Sequence, residues 1–295
     1  MYDVIIIGAG IGGVTSAIYA KRSNMNILLL DKAMPGGLLN NIEKISNYPG
    51  LSNIAGPDFA TNLYNQINDL QIPFKMEEVI DVDLEGEVKK VITSSNTYEA
   101  KNVILAMGRK PKYLGLDNEK DYLGKGLSTC ALCDGFFYKD KPVAVVGSGN
   151  SALQESLYLA KIASKVYIIN RRDGFKGEDT LVSSVLNRPN IEVIYNTNVK
   201  SLNEQDGKLE SIILDNGNTL DVKGIFIYIG YKPDTDLVKK YDILNIDGYV
   251  IVDEYFETKL EGVFAIGDVI KKDIYQLVTA ADDGLKVIYN IDKNR

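Results

Sequence analysis

Val4-Ile5-Ile6-Ile7-Gly8-Ala9-Gly10-Ile11-Gly12-Gly13 decides how this chain folds. Four consecutive β-branched residues read as a strand buried on both faces, as in a parallel sheet. The glycines read as a tight turn, and Val14 to Arg22 as a helix that packs back on the strand. Ile27 to Leu30 is the next strand, and Asp31 ends it. Strand, glycine turn, helix, strand and terminal acid form a dinucleotide-binding unit. Gly8 permits the turn, Gly10 lets the backbone approach a pyrophosphate, and Gly13 lets helix and strand pack closely. The pyrophosphate is expected on the helix N-terminus, where free N–H groups favour negative charge. Asp31 is expected to accept bonds from the hydroxyls of an adenine ribose.

The same unit recurs downstream. Pro142 to Val146 reads as a strand, Gly147-Ser148-Gly149-Asn150-Ser151-Ala152 as the turn, and a helix runs to about Lys161. Val166 to Ile169 is the following strand. The spacing from Gly8 to Asp31 equals that from Gly147 to Asn170, so this is an internal repeat. Gly147, Gly149 and Ala152 take the places of Gly8, Gly10 and Gly13. The copies differ where the ligand is chosen. Asp31 in the first suits a free 2′-hydroxyl, as in FAD. The second carries Asn170, then Arg171-Arg172, with Lys176 one turn further on, which suits the 2′-phosphate of NADPH. The plainer reading of these cations is a solvated surface run.

Between the two turns lies Cys130-Ala131-Leu132-Cys133-Asp134-Gly135, which holds the only two cysteines in the chain. A pair at this spacing can close a disulfide and reopen as a dithiol, with one thiol acidified enough to attack or leave. Zinc needs three or four ligands, and with no histidine and no third cysteine no metal site is expected. Two inert structural cysteines remain the alternative. The order of the motifs suggests electrons moving from a nucleotide, through a flavin, to the pair. With no histidine, acid–base steps near neutral pH fall to a carboxyl, thiol, lysine, tyrosine or the flavin. Asp134 stands next to the pair.

The 295 residues suffice for two medium domains, and 45% hydrophobic with 25% charged residues is ordinary for a soluble globular protein. A net charge of −7 argues against nucleic acid and anionic membranes as partners. No apolar run approaches a membrane span, and the first strand begins at about Tyr2, too early for a signal peptide. Two cysteines then point to the cytoplasm and to catalytic redox chemistry rather than a structural staple. Arg109-Lys110-Pro111 and Gly230-Tyr231-Lys232-Pro233 read as linkers. Residues 78 to 104 read as a β-rich insertion, Pro57 to Leu70 and about Tyr275 to Ile291 as helices, and Asp215-Asn216-Gly217 as a hairpin turn. Gly262 to Asp268 reads as a buried strand that delivers a carboxylate to a ligand at its carboxyl end.

These pieces together resemble the low-molecular-weight thioredoxin reductases over essentially the whole chain. The resemblance rests on the Gly8 to Gly13 turn, Asn47-Tyr48-Pro49-Gly50, Cys130 to Gly135, Gly147 to Ala152, Arg171-Arg172, Gly262 to Asp268, and Gln276-Leu277-Val278-Thr279-Ala280. It implies an α/β fold of two Rossmann-like dinucleotide-binding domains, each of three ββα layers, the second inserted into the first. Residues 1–110 and 241–295 would form the FAD domain, and 111–240 the NAD(P)H domain carrying the cysteines. It also implies a homodimer, and domains that rotate so that the flavin faces either disulfide or nicotinamide. Gly37, Asn47, Gly267, Asp268 and Gln276 would join Gly8, Gly10, Gly13 and Asp31 around FAD. Asp268 would bond the ribityl chain. Cys133 would lie nearest the flavin, Cys130 would attack the disulfide of thioredoxin, and Asp134 would supply the proton.

The chain departs from that family at Gly12 for alanine, Leu38 for glutamine, Asn170 for histidine, Lys176 for arginine and Tyr275 for arginine. Most of these bear on the nucleotide donor. The leading reading, carried by Arg171-Arg172 and the resemblance, is an NADPH-dependent thioredoxin reductase; the departures at the donor site weaken that choice of donor and make reduced ferredoxin the alternative. A flavin oxidase that makes disulfides on small molecules, or a redox-sensing nucleotide-binding module, would keep some of the same motifs.

Overall fold

The computed structural model describes residues 1–51, 53–293 and 295. The chain forms two compact units, one of Met1–Lys110 with Lys232–Arg295, the other of Pro111–Tyr231. In the first, strand β1 (Tyr2–Ile7) is followed by helix α1 (Ile11–Arg22), β2 (Ile27–Asp31), α2 (Gly56–Asp69), β3 (Phe74–Met76), β4 (Val79–Asp83), β5 (Lys89–Thr93), β6 (Thr97–Leu105) and β7 (Arg109–Pro111). A short 3-10 turn, Gly37–Asn41, precedes α2.

The sheet runs β3-β2-β1-β6-β5-β4. Strand β6 joins the parallel and antiparallel parts of this sheet. Its first half pairs antiparallel with β5, and its second half runs parallel to β1. Alternation along the parallel strands then builds two cores. Val4, Ile6, Leu29 and Ile104 face the helices, and Ile5, Ile7, Leu28, Leu30 and Leu105 face the layer holding Val82 and Val91. With both faces covered, the strands need the unbroken apolar runs seen in the sequence. Helix, parallel sheet and antiparallel layer are the three expected layers.

The second unit repeats the plan. It contains β8 (Leu127–Ser128), α3 (Ala131–Asp134), β9 (Pro142–Val146), α4 (Asn150–Leu159), β10 (Lys165–Ile169), α5 (Asp179–Leu186), β11 (Ile191–Ile194), β12 (Val199–Gln205), β13 (Lys208–Leu214), β14 (Thr219–Leu220) and β15 (Gly224–Ile227). Its parallel sheet is β11-β10-β9-β15-β8, and β12-β13-β14 form the antiparallel layer. Val143, Val145, Val166 and Ile168 face α4 and α5, while Ala144, Val146 and Ile169 face Ile212 and Leu214 of β13. Strand β12 has no sequence signal of its own, because most of its residues are polar and outward-facing.

The chain returns through β16 (Tyr231–Pro233), which pairs with β7, then β17 (Val263–Ala265) beside β6, and helix α6 (Leu277–Lys293). The return to the first unit falls at Lys232, not at 241 as the sequence suggested. Val238 is fully buried in the first unit, Lys240 pairs with Asp81, and the Tyr241 hydroxyl bonds Val82 O and Leu84 N. A polar run with one buried valine hid this attachment.

Helix α6 crosses α1 where both carry glycine. A Cβ on Gly284 would lie 2.4 Å from Gly12 O, and one on Gly12 would lie 3.0 Å from Ala280 O. Ser16 Oγ bonds both Gly12 O and Gly284 O there. The Gly12 departure is thus part of a close helix crossing.

Candidate nucleotide and dithiol sites

In the first unit the three turn glycines do different work. A Cβ on Gly13 would lie 1.9 Å from Gly8 O, so strand and helix touch there. A Cβ on Gly10 would meet no protein atom within 4 Å. Gly10 is the N-cap of α1, with an extended backbone and no side-chain cap. The first-turn N–H groups therefore face an open cradle, which fits a pyrophosphate. Gly37 closes one side of it, with its Cβ direction 3.6 Å from Gly10 Cα. Asp31 braces the turn: Oδ2 accepts Ala9 N–H at 2.7 Å and Oδ1 accepts Ala33 N–H at 3.0 Å. Each oxygen retains a lone pair, so the brace is compatible with a ribose contact.

The C-terminal part brings its own groups to this unit. Asn47 Nδ2 donates to Gln276 Oε1 at 3.1 Å, which joins two residues 229 positions apart. Gly267 N–H donates to Asp283 Oδ2 at 2.8 Å. Asp283 is buried and ion-paired with Lys272; burial pushes its carboxyl upward, opposed by that ammonium. Asp268 accepts from Arg109 Nε at 3.1 Å and Nη2 at 2.9 Å. The same guanidinium stacks 4.1 Å from the Tyr275 ring. Strand β17 and the turn after it thus hold Asp268 in a fixed, half-buried setting.

The second unit shows the same cradle. A Cβ on Gly147 would lie 2.4 Å from Tyr228 O and 2.9 Å from Ala152 Cβ, while Gly149 opens on free space. Gly149 caps α4 without a side-chain bond. Lys176 N–H donates to Ser148 O at 2.8 Å, so the basic loop lies against the glycine turn. Asn170 is buried and structural: its Oδ1 accepts Arg172 N–H and its Nδ2 donates to Gly174 O, both at 3.0 Å. It shapes the loop and is not free for a ligand. Arg171, Arg172 and Lys176 are exposed, and no ion pair among the described residues engages them. Three unneutralised cations beside an open glycine turn fit a phosphate.

Cys130 and Cys133 are disulfide-bonded. Cys130 caps the single turn of α3, and its Sγ accepts Cys133 N–H at 3.1 Å. Ser128 Oγ accepts Cys130 N–H at 3.0 Å and donates to Cys130 O. Cys130 is 8% exposed, whereas Cys133 is open to solvent. Asp134 is half-buried beside them, and Phe136 and Phe137 are 73% and 71% exposed.

Sequence reasoning missed Arg109, Lys272, Asp283 and Tyr228. For Asp283 a signal existed, since it falls on the stripe of Ala280, Val287 and Ile291 that packs inward. Arg109 and Tyr228 carried none.

Two open glycine cradles and a disulfide define a flavin- and nucleotide-binding redox fold. The pyridine nucleotide-disulphide oxidoreductase family matches residues 2–284, and the chain belongs to it. It is 37% identical over 289 residues to a thioredoxin reductase of Bacillus subtilis, covering 96% of this chain and 92% of that one. Among solved structures, a Lactococcus lactis thioredoxin reductase superposes with TM-score 0.91 at 33% identity, covering all of both chains. The T. acidophilum thioredoxin reductase gives 0.88 at 31% identity, covering 99% and 98%.

Proposed function

We propose that the protein is an FAD-dependent thioredoxin reductase that takes electrons from NADPH. The observation that carries this is the Cys130–Cys133 disulfide, set in the unit that also holds the second glycine turn. Gly8, Gly10, Gly13, Asp31, Gly37, Asn47, Gly267, Asp268 and Gln276 would hold FAD. Gly147, Gly149, Ala152, Arg171, Arg172 and Lys176 would hold NADPH. Bound FAD supplies the two-electron carrier between nicotinamide and disulfide.

Once reduced, the pair works by thiol–disulfide exchange. The Cys130 thiolate attacks one sulfur of the partner's disulfide, and the displaced sulfur takes a proton from Asp134. Cys133 then gives up its thiol proton and attacks Cys130 Sγ, and the second sulfur leaves with that proton. With the proton from Asp134, the partner is thus reduced by two electrons and two protons while the Cys130–Cys133 disulfide reforms. The Cys133 N–H, already on Cys130 Sγ, favours the thiolate there. Because Cys130 is nearly buried, the loop must open for it to reach a protein disulfide. The exposed rings of Phe136 and Phe137 support a protein as the substrate, since such paired apolar surface is usually covered by a partner.

Reduced ferredoxin as donor is not favoured, because the free cations of the second turn suit a phosphate-bearing nucleotide. Anaerobic NADPH should bleach the flavin of the loaded protein, and thioredoxin should then reoxidise it. A flavin that stays oxidised in millimolar NADPH sinks the donor assignment.

Gly10→Ala separates binding from folding. The backbone there suits alanine and no protein atom is near, so stability should change by less than about 0.5 kcal/mol. A methyl in the cradle should nevertheless weaken FAD binding by roughly tenfold or more, a loss of about 1.4 kcal/mol. Flavin fluorescence titration of the apoprotein, beside thermal denaturation, reads both. Unchanged affinity would remove the pyrophosphate from this turn.

We also propose a cytoplasmic homodimer. No helix among the described residues is long and apolar enough to cross a membrane. Leu285 and Tyr289 of α6, with Tyr255, leave apolar surface exposed, which supports self-association. Leu285→Glu with Tyr289→Lys should shift sedimentation from dimer to monomer, and a monomeric parent protein would refute the assembly.

A further inference from the structure

Tyr228 sits at the end of β15 and touches both functional parts of its unit. Its carbonyl oxygen lies against Gly147 of the nucleotide turn. Its side chain reaches the cysteine loop, where the phenol oxygen accepts Ala131 N–H at 2.7 Å. Ala131 is fully buried, so water cannot replace that acceptor. Ala131 N–H belongs to the residue directly after Cys130. It lies on the peptide that joins Cys130 to the turn of α3, whose Cys133 N–H already reaches the Cys130 sulfur.

The geometry points to Tyr228 as a positioning residue that sets the acidity of Cys130 by holding the Ala131 amide hydrogen away from its sulfur. The inference rests on Cys130–Cys133 being the working redox pair. A cysteine thiolate gains from every N–H aimed at it. Here one such donor, Cys133 N–H, reaches Sγ, and a second is diverted to the phenol. The charged and titratable groups around the phenol are Glu155 from α4, Asp134 from α3, and Tyr231. Tyr138, from the turn after α3, also feels Asp134. Burial and the negative charge of Glu155 keep the Tyr228 phenol protonated. The acceptor thus persists across the pH range in which a thiol titrates.

Tyr228→Phe removes the acceptor and keeps the ring. Ala131 N–H is then left buried without a partner, and the reduced Cys130 thiolate is the group that can satisfy it. One added charge-assisted bond should lower the Cys130 midpoint by about one pH unit. The disulfide should become easier to reduce by up to about tenfold, near 30 mV for this two-electron couple. Both are read on the full-length, FAD-loaded chain: the first from the pH dependence of alkylation, the second from equilibration in dithiol buffers of known ratio. A control removes the donor instead. Ala131→Pro deletes the N–H at a first-turn position where proline is accepted, and Cys130 already has the extended backbone that a following proline requires. In that background Tyr228→Phe should shift neither quantity.

A midpoint and equilibrium within twofold of the parent, or shifted the other way, would overturn the inference even if stability fell. An equal shift in the Ala131→Pro background would overturn it too. If Tyr228→Phe does not fold, Ala131→Pro alone decides: it also keeps this N–H off the sulfur, so a midpoint lowered by a full unit would be fatal. The underlying reading fails separately, if the parent disulfide is not reduced when the flavin is.

Discussion

Serine at either Cys130 or Cys133 is expected to lower thioredoxin turnover by at least roughly three orders of magnitude, since each sulfur is indispensable to the exchange. FAD should stay bound in both variants, because every residue assigned to it lies in the other unit. The two variants should differ in what they trap. Cys133→Ser leaves Cys130 able to attack but removes the sulfur that resolves the adduct, so a covalent complex with thioredoxin should persist on a non-reducing gel. Cys130→Ser should give none. The structure makes this a sharp test, because acidity and access point in opposite directions. Cys130 has the N–H that favours a thiolate, yet Cys133 is the sulfur open to solvent. An adduct from Cys130→Ser would mean that access wins and the roles are reversed. Full activity in either variant would end the dithiol mechanism.

The fold was legible where a local rule had one solution. Ile5 and Ile6 belong to an unbroken apolar run, and such a run needs cover on both faces, which the structure provides. The repeat was legible because the glycine turn fixes both the strand before it and the helix after it. Strand β12 was not, because exposed polar residues carry no alternation. The return at Lys232 was missed for a related reason. What attaches 232–240 to the first unit is the buried Val238, the Lys110 pairs with Asp234 and Asp236, the Asp234 N–H on Gly108 O and the Lys240–Asp81 pair, most of them made to residues far away in sequence.

The sites divide in the same way. Glycines 8 and 13 announce themselves because a side chain there would strike backbone, and Gly10 because it completes the spacing of the turn while its own place opens on the cradle. Arg109, by contrast, read as linker, and only the fold brings it to Asp268 and Tyr275. Tyr228 gave no signal either, since a tyrosine at a strand end is commonplace and its partner is a backbone amide 97 residues away. Asn170 read as a weakened ligand position. In the structure it is a loop brace, and it accepts the N–H of Arg172 itself.

That brace bears on the other large effect expected here, in the donor site. Arg171→Ala with Arg172→Ala should raise the Michaelis constant for NADPH by roughly two orders of magnitude or more, because each charge-assisted contact contributes on the order of 1.5–3 kcal/mol. NADH, which lacks the 2′-phosphate, should be used no worse than before, so the preference for NADPH should vanish. Lys176 will soften the loss only slightly: an ammonium is a point charge without the planar fork of a guanidinium. The backbone should survive the change, since Asn170 bonds the main chain of residues 172 and 174 rather than either arginine side chain. Neither arginine has an ion-pair partner among the described residues, so nothing else is left unpaired. Salt supplies a second reading of the same contact. NADPH use should weaken as ionic strength rises in the parent and respond much less in the double variant, because exposed charges are screened within about 10 Å at 0.1 M salt. An unchanged NADPH-to-NADH ratio in the variant would make these cations plain solvated surface. The second glycine turn would then have to select its nucleotide by other means.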